Sequence, residues 1–388
     1  MNISLLKEMV QGEVKRQRDR LIRISQAIHA HPETRFQEYF AQKLLCTELK
    51  KSGFKVEKGI AELDTAFWAV LAGREAGPTI AFVAEYDALP ALGHGCGHNL
   101  IAAASVGAAL ALRKVMPRLP GKISVVGAPG EEGGGGKAIM VNRGFFQGID
   151  VAMLAHPADR TVVRTNSLAG YVLEVRFQGR PVHSARAPHD GINALEAVIL
   201  TFNNINSLRQ TLKDDVRIQG IISEGGLALN ILPEVAAARF SIRSAKRDYL
   251  NEVVDKVEKC AQGAALATGA EVSFLGLGCY DELRLNTTLA GVFEANLQAL
   301  GISPTSEESG LGATDMGNVS HVVPTIHPYF AIAPEGVAMH THKFAELAVS
   351  DQAHAGMLVM AQAMAMTAID VLADPELYAA IRQEFKGA

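Results

Sequence analysis

The amino-acid sequence has few cysteines, few aromatic residues and no excess of charge of either sign. Only four cysteines are spread over 388 residues, which is too few for a framework of disulfide bonds. The 37 Lys and Arg residues nearly balance the 41 Asp and Glu residues, so we expect no nucleic-acid partner. Aromatic residues make up 6% and include a single Trp, so a large stacking platform is not expected either. This composition favours a small-molecule partner.

Long apolar stretches are also scarce. Charged residues interrupt every apolar stretch among residues 1–30, so we expect no secretory signal there. The longest apolar stretch that we identify, residues 101–112, is Ala-rich and too short to span a bilayer. Hydrophobic residues make up 48% and charged residues 20%, which is typical of a soluble globular protein and excludes a disordered one. We therefore predict a cytoplasmic protein without a membrane partner.

Short apolar runs alternate with helical patterns through the first half of the chain. Residues 1–30 show helical spacing with a charged opposite face, and an Ala-rich helix is expected after the glycine-rich turn at 93–99. Apolar runs bounded by Gly and Pro predict buried strands at residues 66–73, 79–85, 122–130 and 151–157. Strands that alternate with helices predict an α/β fold with a mixed, mostly parallel sheet flanked by helices.

A different pattern follows in the middle of the chain. Residues 171–178 alternate strictly between apolar and polar side chains, as in a sheet that buries one face. Two helical stripes come next, together with further predicted strands at residues 216–223, 234–243 and 271–277. This β-α-β-β-α-β order is that of a ferredoxin-like unit. We predict that an α+β domain, residues 169–283, is inserted into a domain formed by residues 1–168 and 284–388.

Side chains that can bind metals lie at the ends of several predicted strands. In an open parallel sheet, ligands bind at the carboxyl ends of the strands. Asp87 follows the second predicted strand, the pair Glu131–Glu132 follows the third, and His156 ends the fourth. The full set of candidates is Glu85, Asp87, Cys96, His98, Glu131, Glu132, His156, Asp315 and His340. A thiolate, imidazoles and carboxylates together suit Zn²⁺, Mn²⁺ or Co²⁺ rather than Mg²⁺ or Ca²⁺.

Other types of site fit these motifs less well. A phosphate-binding loop needs Gly six residues before its Lys and Ser or Thr after it. Lys137 has Glu131 at that distance, and no Ser or Thr follows it. A Ser-His-Asp site is disfavoured because the sequence contains no G-x-S-x-G motif. Cys96 could be a catalytic thiolate near His98, but metal ligation is the better use of it beside two glutamates and further histidines.

Nine motifs along the chain belong together. They are AIHAHPETRFQE (27–38), EYDALP (85–90), HGCGHN (94–99), PGEEGGGG (129–136), LAHP (154–157), VHSARAPHDGINALEA (182–197), GGLALNILPEVAAARFSIR (225–243), ATDMGNVS (313–320) and MHTHKF (339–344). Through them nearly the whole chain resembles the dinuclear aminoacylase/carboxypeptidase family, peptidase family M20. The resemblance is greatest to the branch that holds auxin-conjugate amidohydrolases, hippurate hydrolases, p-aminobenzoyl-glutamate hydrolases and related dipeptidases.

The resemblance implies a zinc-exopeptidase-like catalytic domain that binds two divalent metal ions. Zn²⁺ or Mn²⁺ is expected, with Co²⁺ as a further option. The implied ligands are Cys96, which would bridge the two ions, and His98, Glu132, His156 and His340. Glu131 matches the family's general base. Asp87 matches an acid that orients a metal ligand.

Three residues of the predicted inserted domain also match family motifs. His183 matches a histidine that reaches an active site, often the partner subunit's, and stabilises the oxyanion there. Asn230 and Arg243 match motifs that face the substrate and its carboxylate. Arg239 shares a strand face with Arg243 by period-two alternation, so either could bind a carboxylate. The resemblance implies that the inserted domain is a lid that also dimerises, which gives a homodimer or a tetramer.

These features together predict a metal-dependent amidohydrolase. Two metals can polarise the scissile carbonyl and supply the nucleophile, while Glu131 can move a proton from water to the leaving amine. The expected substrates are N-acyl amino acids, aminobenzoyl-glutamate-like conjugates or dipeptides, which would release a free amino acid. The alternative is an aminohydrolase that releases ammonia or an amine from a substrate without an amino-acid half, for which Arg243 would not be needed. A metal-bound binding protein without turnover is disfavoured because Glu131, His183 and every type of ligand are present.

Overall fold

The structure is a computed structural model that describes residues 2–305 and 312–387. Within these ranges the chain forms two compact units. The second unit consists of Ser167–Glu282 together with Gly312–Thr314, and the other described residues form the first unit. The sequence did not predict the short piece Gly312–Thr314. It joins the second unit through a hydrogen bond of 2.9 Å from the Leu168 amide to the Gly312 carbonyl.

Strands are found in both units. In chain order they are β1 (Lys55–Lys58), β2 (Phe67–Ala72), β3 (Thr79–Ala84), β4 (Lys122–Gly127), β5 (Val151–Met153), β6 (His156–Ala158), β7 (Ala169–Gln178), β8 (Arg217–Glu224), β9 (Val235–Ser244), β10 (Glu271–Tyr280), β11 (Thr325–Ile326) and β12 (Tyr329–Ala331). The first unit contains a six-stranded sheet in the order β1-β2-β4-β3-β5-β11. Its pairs β4/β3, β3/β5 and β5/β11 are parallel, whereas β1/β2 and β2/β4 are antiparallel.

Both faces of the central strands β3 and β4 are almost entirely buried, as the uninterrupted apolar runs predict. On β3, Ile80, Phe82 and Ala84 belong to one hydrophobic cluster. Ala81 and Val83, which point to the opposite face, belong to another. The sheet therefore lies between two apolar layers, and its strand ends are the places where polar side chains can collect.

Helices cover the sheets of both units. They are α1 (Ile3–Ala30), α2 (Tyr39–Lys51), α3 (His98–Leu112), α4 (Glu131–Gly134), α5 (Gly136–Asn142), α6 (Ala194–Leu208), α7 (Arg247–Thr268), α8 (Thr287–Ala299), α9 (Met316–Ser320), α10 (His342–Leu347), α11 (Asp351–Ala373) and α12 (Pro375–Gly387). Helix α1 begins where the side chain of Asn2 accepts the Leu5 amide, at 3.1 Å. Helix α3 is buried along its whole length and packs against α1, α11 and β3.

Helix α11 corrects one expectation from the sequence. It is 23 residues long and apolar enough to cross a membrane by length and composition, and our sequence interpretation overlooked it. However, 72% of its apolar window is buried inside the protein, where α11 packs against α1, α3 and α8. Helix α11 is therefore a core helix of the first unit.

Two further details differ from the predicted elements. The predicted strand at 151–157 is two strands: β5 belongs to the large sheet, whereas β6 pairs in parallel with β12. Strand β1 was not predicted, because its four side chains are exposed or half-buried and show no apolar alternation.

The second unit has the predicted β-α-β-β-α-β order, formed by β7, α6, β8, β9, α7 and β10. Its sheet is antiparallel, in the order β10-β7-β9-β8, and α6 and α7 pack on it. On β7, Leu173, Val175 and Phe177 are buried in the core of this unit, which confirms the alternation seen in the sequence.

Candidate metal centre

The carboxyl ends of three neighbouring parallel strands lead to the candidate metal-binding side chains. Strands β4, β3 and β5 lie side by side in that order. Strand β3 ends directly before Glu85, β4 ends four residues before Glu131, and β5 ends three residues before His156. Because parallel strands end at the same edge of a sheet, these segments converge there.

Three overlapping groups of side chains have donor atoms close enough to share a metal ion. Within each group the ligand atoms lie within 4.8 Å of one another. The groups are Cys96, Glu132 and His340; His98, Glu131 and Glu132; and Glu85, His98 and His156. The structure thus brings together all five side chains that the resemblance implies as ligands, and two other candidates from the sequence, Glu85 and Glu131, lie in the same groups.

His98, the first residue of α3, is oriented by Asp87. Its Nδ1 lies 3.0 Å from both the backbone oxygen and Oδ1 of Asp87. Burial favours the neutral ring, but the charge and hydrogen bond of Asp87 outweigh it and raise the pKa of His98 to about 10. Burial likewise acts against the carboxylate of Asp87, whose pKa is nevertheless lowered by His98. With Nδ1 engaged by Asp87, Nε2 of His98 is the atom left to bind a metal.

Asp87 also fixes the turn that carries Glu132. Its Oδ2 accepts the backbone N–H of Glu132 at 2.9 Å. Oε1 of Glu132 lies 3.6 Å from Nε2 of His340. The amide of His340 donates to the carbonyl of Gly95, the neighbour of Cys96, at 3.0 Å. Backbone hydrogen bonds thus bring three segments that are distant in sequence to one place.

A buried lysine that the sequence analysis did not assign adjoins this cluster. Nζ of Lys137 lies 2.6 Å from Oε1 of Glu85 and 2.5 Å from Oδ1 of Asp315, and all three side chains are fully buried. Despite burial, which acts in the other direction, the charge of Lys137 lowers the pKa of Glu85 to about 2. Burial raises the pKa of Asp315 to about 6. The second oxygen of Glu85 lies 3.5 Å from Nε2 of His98, so the lysine holds an ionised carboxylate beside the metal-binding group.

Glu131 lies where several negative charges meet. Burial, followed by the charges of Glu85 and Asp315, raises its pKa well above the usual range.

The glycine run that follows Glu132 lets the backbone fold tightly here. A Cβ atom at Gly136 would lie 1.8 Å from the carbonyl oxygen of Pro129. The turn therefore requires glycine at this position.

His156 has two aromatic neighbours that the sequence analysis missed. Its ring centroid lies 5.5 Å from that of His327 and 5.6 Å from that of Tyr329. Burial, and then the neighbouring His327, lower the pKa of His156 to about 3. Because Nδ1 of His156 lies 2.7 Å from the carbonyl of Pro157, Nε2 remains for a metal. The neutral imidazole is the form that binds metal ions.

The donors of this cluster fit a divalent metal ion. Nε2 of His98 and Oε1 of Glu132 are buried, and neither has a hydrogen-bond partner in the part of the chain that the structure describes. Such atoms normally have one. Burial and the nearby Glu132 raise the pKa of Cys96, so its thiol needs a cation beside it to ionise. Unpaired nitrogen and oxygen donors next to a thiol are the ligands that borderline divalent metals prefer.

Two of the candidate residues of the second unit lie together. His183 and Asn230 are both exposed. The amide of Ser184 donates to the carbonyl of Asn230 at 3.0 Å, and His183 forms an isolated β-bridge with Ile231. These two segments, about fifty residues apart in sequence, thus form one surface just beyond the amino end of β9.

Arg243 lies near the opposite end of β9. The strand begins at Val235, so at about 3.3 Å per residue about 26 Å of strand separates Val235 from Arg243. Arg239, the alternative carboxylate ligand, donates from Nε to Oε2 of Glu174 at 2.7 Å. Its guanidinium already has a carboxylate partner within the sheet, which leaves Arg243 as the better candidate.

An α/β sheet with thiol, imidazole and carboxylate donors at its carboxyl edge is typical of a metal-dependent enzyme. The family model for Peptidase family M20/M25/M40 matches residues 81–366. The chain belongs to this peptidase family, which confirms the resemblance seen in the sequence. The protein is an enzyme that hydrolyses amide bonds with the help of a metal.

Relatives and solved structures cover nearly the whole chain. Xaa-Arg dipeptidase of Mus musculus is 38% identical, over 99% of this chain and 93% of the relative. One of the subunits of the p-aminobenzoyl-glutamate hydrolase of Escherichia coli (strain K12) is 28% identical, over 97% of this chain and 94% of the relative. The structure of a dinuclear metal-binding peptidase of Bacillus subtilis is similar with a TM-score of 0.71 at 20% identity, over 92% of this chain and 99% of that one. The predicted fold class is confirmed.

Proposed function

We propose that this enzyme uses two divalent metal ions to hydrolyse small amides that contain an amino acid with a free carboxylate. The substrates in view are dipeptides, N-acyl amino acids and aminobenzoyl-glutamate-like conjugates, each of which would release a free amino acid. The observation that supports this most strongly is the overlap of the donor groups. His98 and Glu132 each belong to two groups, so the cluster is wider than the ligand set of one ion.

The donors divide naturally between two ions. Cys96, Glu132 and His340 would hold one ion, and His98 and His156 would hold the other. The family resemblance implies that Cys96 is a ligand of both ions. This donor set favours Zn²⁺ or Mn²⁺, with Co²⁺ as a further option. Such ions, when bound, polarise the scissile carbonyl and make water a stronger nucleophile. Asp87 would keep the ring of His98 in the tautomer whose Nε2 is free to bind, because it occupies Nδ1.

Glu131 is the proposed general base. It adjoins His98 and Glu132, so a divalent ion bound there would oppose the rise in the pKa of Glu131 and favour its carboxylate form. A carboxylate that readily takes up a proton can accept one from the attacking water and return it to the nitrogen of the leaving amine. Glu131 would therefore serve in both halves of the reaction.

The second unit supports an assembly of at least two copies. His183 would donate a hydrogen bond to the oxyanion, Asn230 would face the substrate, and Arg243 would bind its carboxylate. An extended dipeptide spans about 7 Å, whereas about 26 Å of strand separates the beginning of β9 from Arg243. One copy therefore cannot bring all three side chains to one small substrate. A homodimer, or a tetramer built from it, would let a second copy supply His183 and Asn230.

The names of two relatives bear on the substrate class, and the thiol of Cys96 bears on the location of the enzyme. The two relatives are named for a dipeptide and for an aminobenzoyl conjugate of glutamate, which supports small amides of amino acids as substrates. We place the enzyme in the cytoplasm because a thiol that ligates metal must stay reduced.

The test is mass-spectrometric detection of cleavage in a pooled panel of dipeptides, N-acyl amino acids and aryl amides. The wild-type enzyme is loaded with Mn²⁺ or Zn²⁺, its metal content is measured, and Glu131→Gln serves as the matched control. We expect cleavage of at least one class of amide and its loss in the variant. Release of ammonia or an arylamine from a compound without an amino-acid half would instead favour an aminohydrolase. No cleavage by protein that holds two metals would contradict the proposal.

A further inference from the structure

The segment that joins α1 to α2 packs against the turn that carries Glu131 and Glu132. Glu38 is the last residue of this segment, and its side chain is completely buried. Its Oε1 accepts the backbone N–H groups of Phe36 and Gly130, at 2.8 and 2.9 Å. Gly130 directly precedes Glu131. One carboxylate oxygen of Glu38 thus ties this segment to the turn.

The other oxygen of Glu38 is held from a second direction. Oγ1 of Thr65 donates to Oε2 of Glu38 at 2.7 Å. The carbonyl of Thr65 in turn accepts the hydroxyl of Tyr86, the neighbour of Asp87, at 2.6 Å. Both oxygens of the carboxyl group are therefore hydrogen-bonded, but only Oε1 contacts the Gly130 amide.

Phe36 and Arg35 add two more contacts with the same turn. A Cβ atom at Gly130 would lie 2.8 Å from the ring of Phe36, and one at Gly134 would lie 2.7 Å from it. Phe36 has a φ of +62°, a left-handed conformation that is costly for an aromatic residue. Nη1 of Arg35 donates to the carbonyl of Gly133 at 3.0 Å. The ring of Phe36 thus fills the space beside the two glycines, and the strained backbone conformation of Phe36 places it there.

These contacts do more than close a hydrophobic core. The contacts of Arg35, Phe36 and Glu38 with this turn end on Gly130, Gly133 and Gly134, which lie within two residues of the Glu131–Glu132 pair. A buried backbone N–H needs a partner, so loss of the Glu38 acceptor would let the Gly130 peptide turn to find another. Catalytic side chains and metal ligands need to be held within about 0.5 Å of their working positions. A small rotation at Gly130 would therefore displace both glutamates.

We propose that Glu38 is a positioning residue that holds Glu131 and Glu132 in place through the amide of Gly130. This rests on the proposed function, in which Glu131 transfers the proton and Glu132 binds a metal. Glu38 itself touches neither substrate nor metal in this scheme. Glu38 contributes to the reaction by orienting the turn that carries Glu131 and Glu132.

Four variants separate positioning from stability. Glu38→Ala removes the acceptor, whereas Glu38→Gln keeps an oxygen that can accept from Gly130 and an amide that can pair with Thr65. Thr65→Val is the matched control, because it removes a buried hydrogen bond to Glu38 but leaves Gly130 paired. Glu38→Asp, which withdraws the carboxylate by one methylene group, replaces Glu38→Ala should that variant not fold. For each, kcat and KM on the substrate that the wild type cleaves are measured, together with Mn²⁺ affinity of the metal-free protein by calorimetry.

We expect Glu38→Ala to lower kcat about 10- to 100-fold and weaken Mn²⁺ binding about 10-fold, with KM changed less than about threefold. Glu38→Gln should recover most of both losses. Thr65→Val should lower the urea midpoint of unfolding while kcat and Mn²⁺ affinity stay near the wild-type values.

Three results would overturn the proposal. They are wild-type kcat and Mn²⁺ affinity in Glu38→Ala, equal impairment of Glu38→Gln and Glu38→Ala, and a loss of kcat in Thr65→Val as large as in Glu38→Ala. If the wild type cleaves nothing in the panel, the proposed function fails. The Mn²⁺ affinities then decide the positioning role alone, because they require no substrate.

Discussion

Replacing Lys137 by Met is expected to destabilise the first unit strongly. Its ammonium lies 2.6 Å from Glu85 and 2.5 Å from Asp315, and all three side chains are fully buried. Methionine keeps an unbranched apolar stem but leaves two carboxylates without their cation. Removal of one partner of a buried ion pair costs about 3–5 kcal/mol. Keeping a proton on one carboxyl group of ordinary pKa at pH 7 costs about 3.4 kcal/mol, which falls in the same range.

The single tryptophan makes the measurement specific to the unit concerned. Trp68 lies on β2, in the first unit, where its ring meets Phe145 edge to face. Its fluorescence therefore reports urea unfolding of the unit that contains Lys137. With an m-value of about 3 kcal/mol/M, the midpoint should fall by about 1–1.7 M. Chelator in every sample keeps metal binding out of the comparison.

The pH dependence has a definite sign. In the wild type the pKa of Glu85 is about 2, below its ordinary value of 4.5, so its stabilising contribution is present above pH 4.5 and is lost as the pH falls toward 2. Without Lys137, the largest of the groups that oppose burial is gone, so we expect the pKa of Glu85 to rise and the variant to lose stability as the pH rises through that pKa. The difference in free energy of unfolding between wild type and Lys137→Met should therefore become smaller as the pH is lowered from about 7.5 to about 5.

Two controls test the reasoning. Lys51→Met removes an exposed lysine that lies 3.4 Å from Glu48, and its effect should stay within about 0.5 kcal/mol. The double variant Lys137→Met/Glu85→Gln should lose less free energy of unfolding than the two single variants together. The reason is that Glu85→Gln removes a charge that Lys137→Met leaves unpaired. A loss below about 1 kcal/mol in Lys137→Met, or strict additivity in the double variant, would refute a buried ion cluster that depends on this lysine.

Three further predictions concern pH, assembly and metal. Burial and the nearby charge of Asp87 raise the pKa of Glu38 to about 7, against a hydrogen bond from Thr65 that lowers it. The stabilisation from protonated Glu38 is thus complete below pH 4.5 and lost as the pH rises through about 7, so wild type should lose stability relative to Glu38→Gln over that window in urea titrations. Mixing His183→Ala with Glu131→Gln under conditions of confirmed subunit exchange should restore part of the activity, and no recovery would argue for a site within one subunit. Metal at about 100 times its Kd should add about 2.7 kcal/mol to the free energy of unfolding, and chelator should remove it, which calorimetric melting of the wild type would show.

The fold was readable from the sequence where local patterns are strong. The apolar runs that became β3 and β4 are buried on both faces, so their composition alone marks them as central strands. Alternation along β7 separates its buried from its exposed side chains in the same way. Strand β11 has only two residues, which is too short for any periodicity to show. His327, which follows that strand and adjoins His156, was missed for this reason.

The candidate metal ligands could be proposed from the sequence because each stands at a strand end or in a distinctive motif. The residues that contact and orient these candidates could not. Lysine is almost never fully buried without a partner, so nothing local marks Lys137 as a core residue. Its partner Asp315 lies 178 residues further along the chain, and only the folded sheet brings the two together. The same holds for Glu38, which is bound to Gly130 across 92 residues. Short sequence motifs thus identify the candidate ligands, but the contacts that orient these ligands depend on long-range packing. Substitutions at Glu38 and Lys137 are therefore where sequence-based expectation and measured activity should differ most.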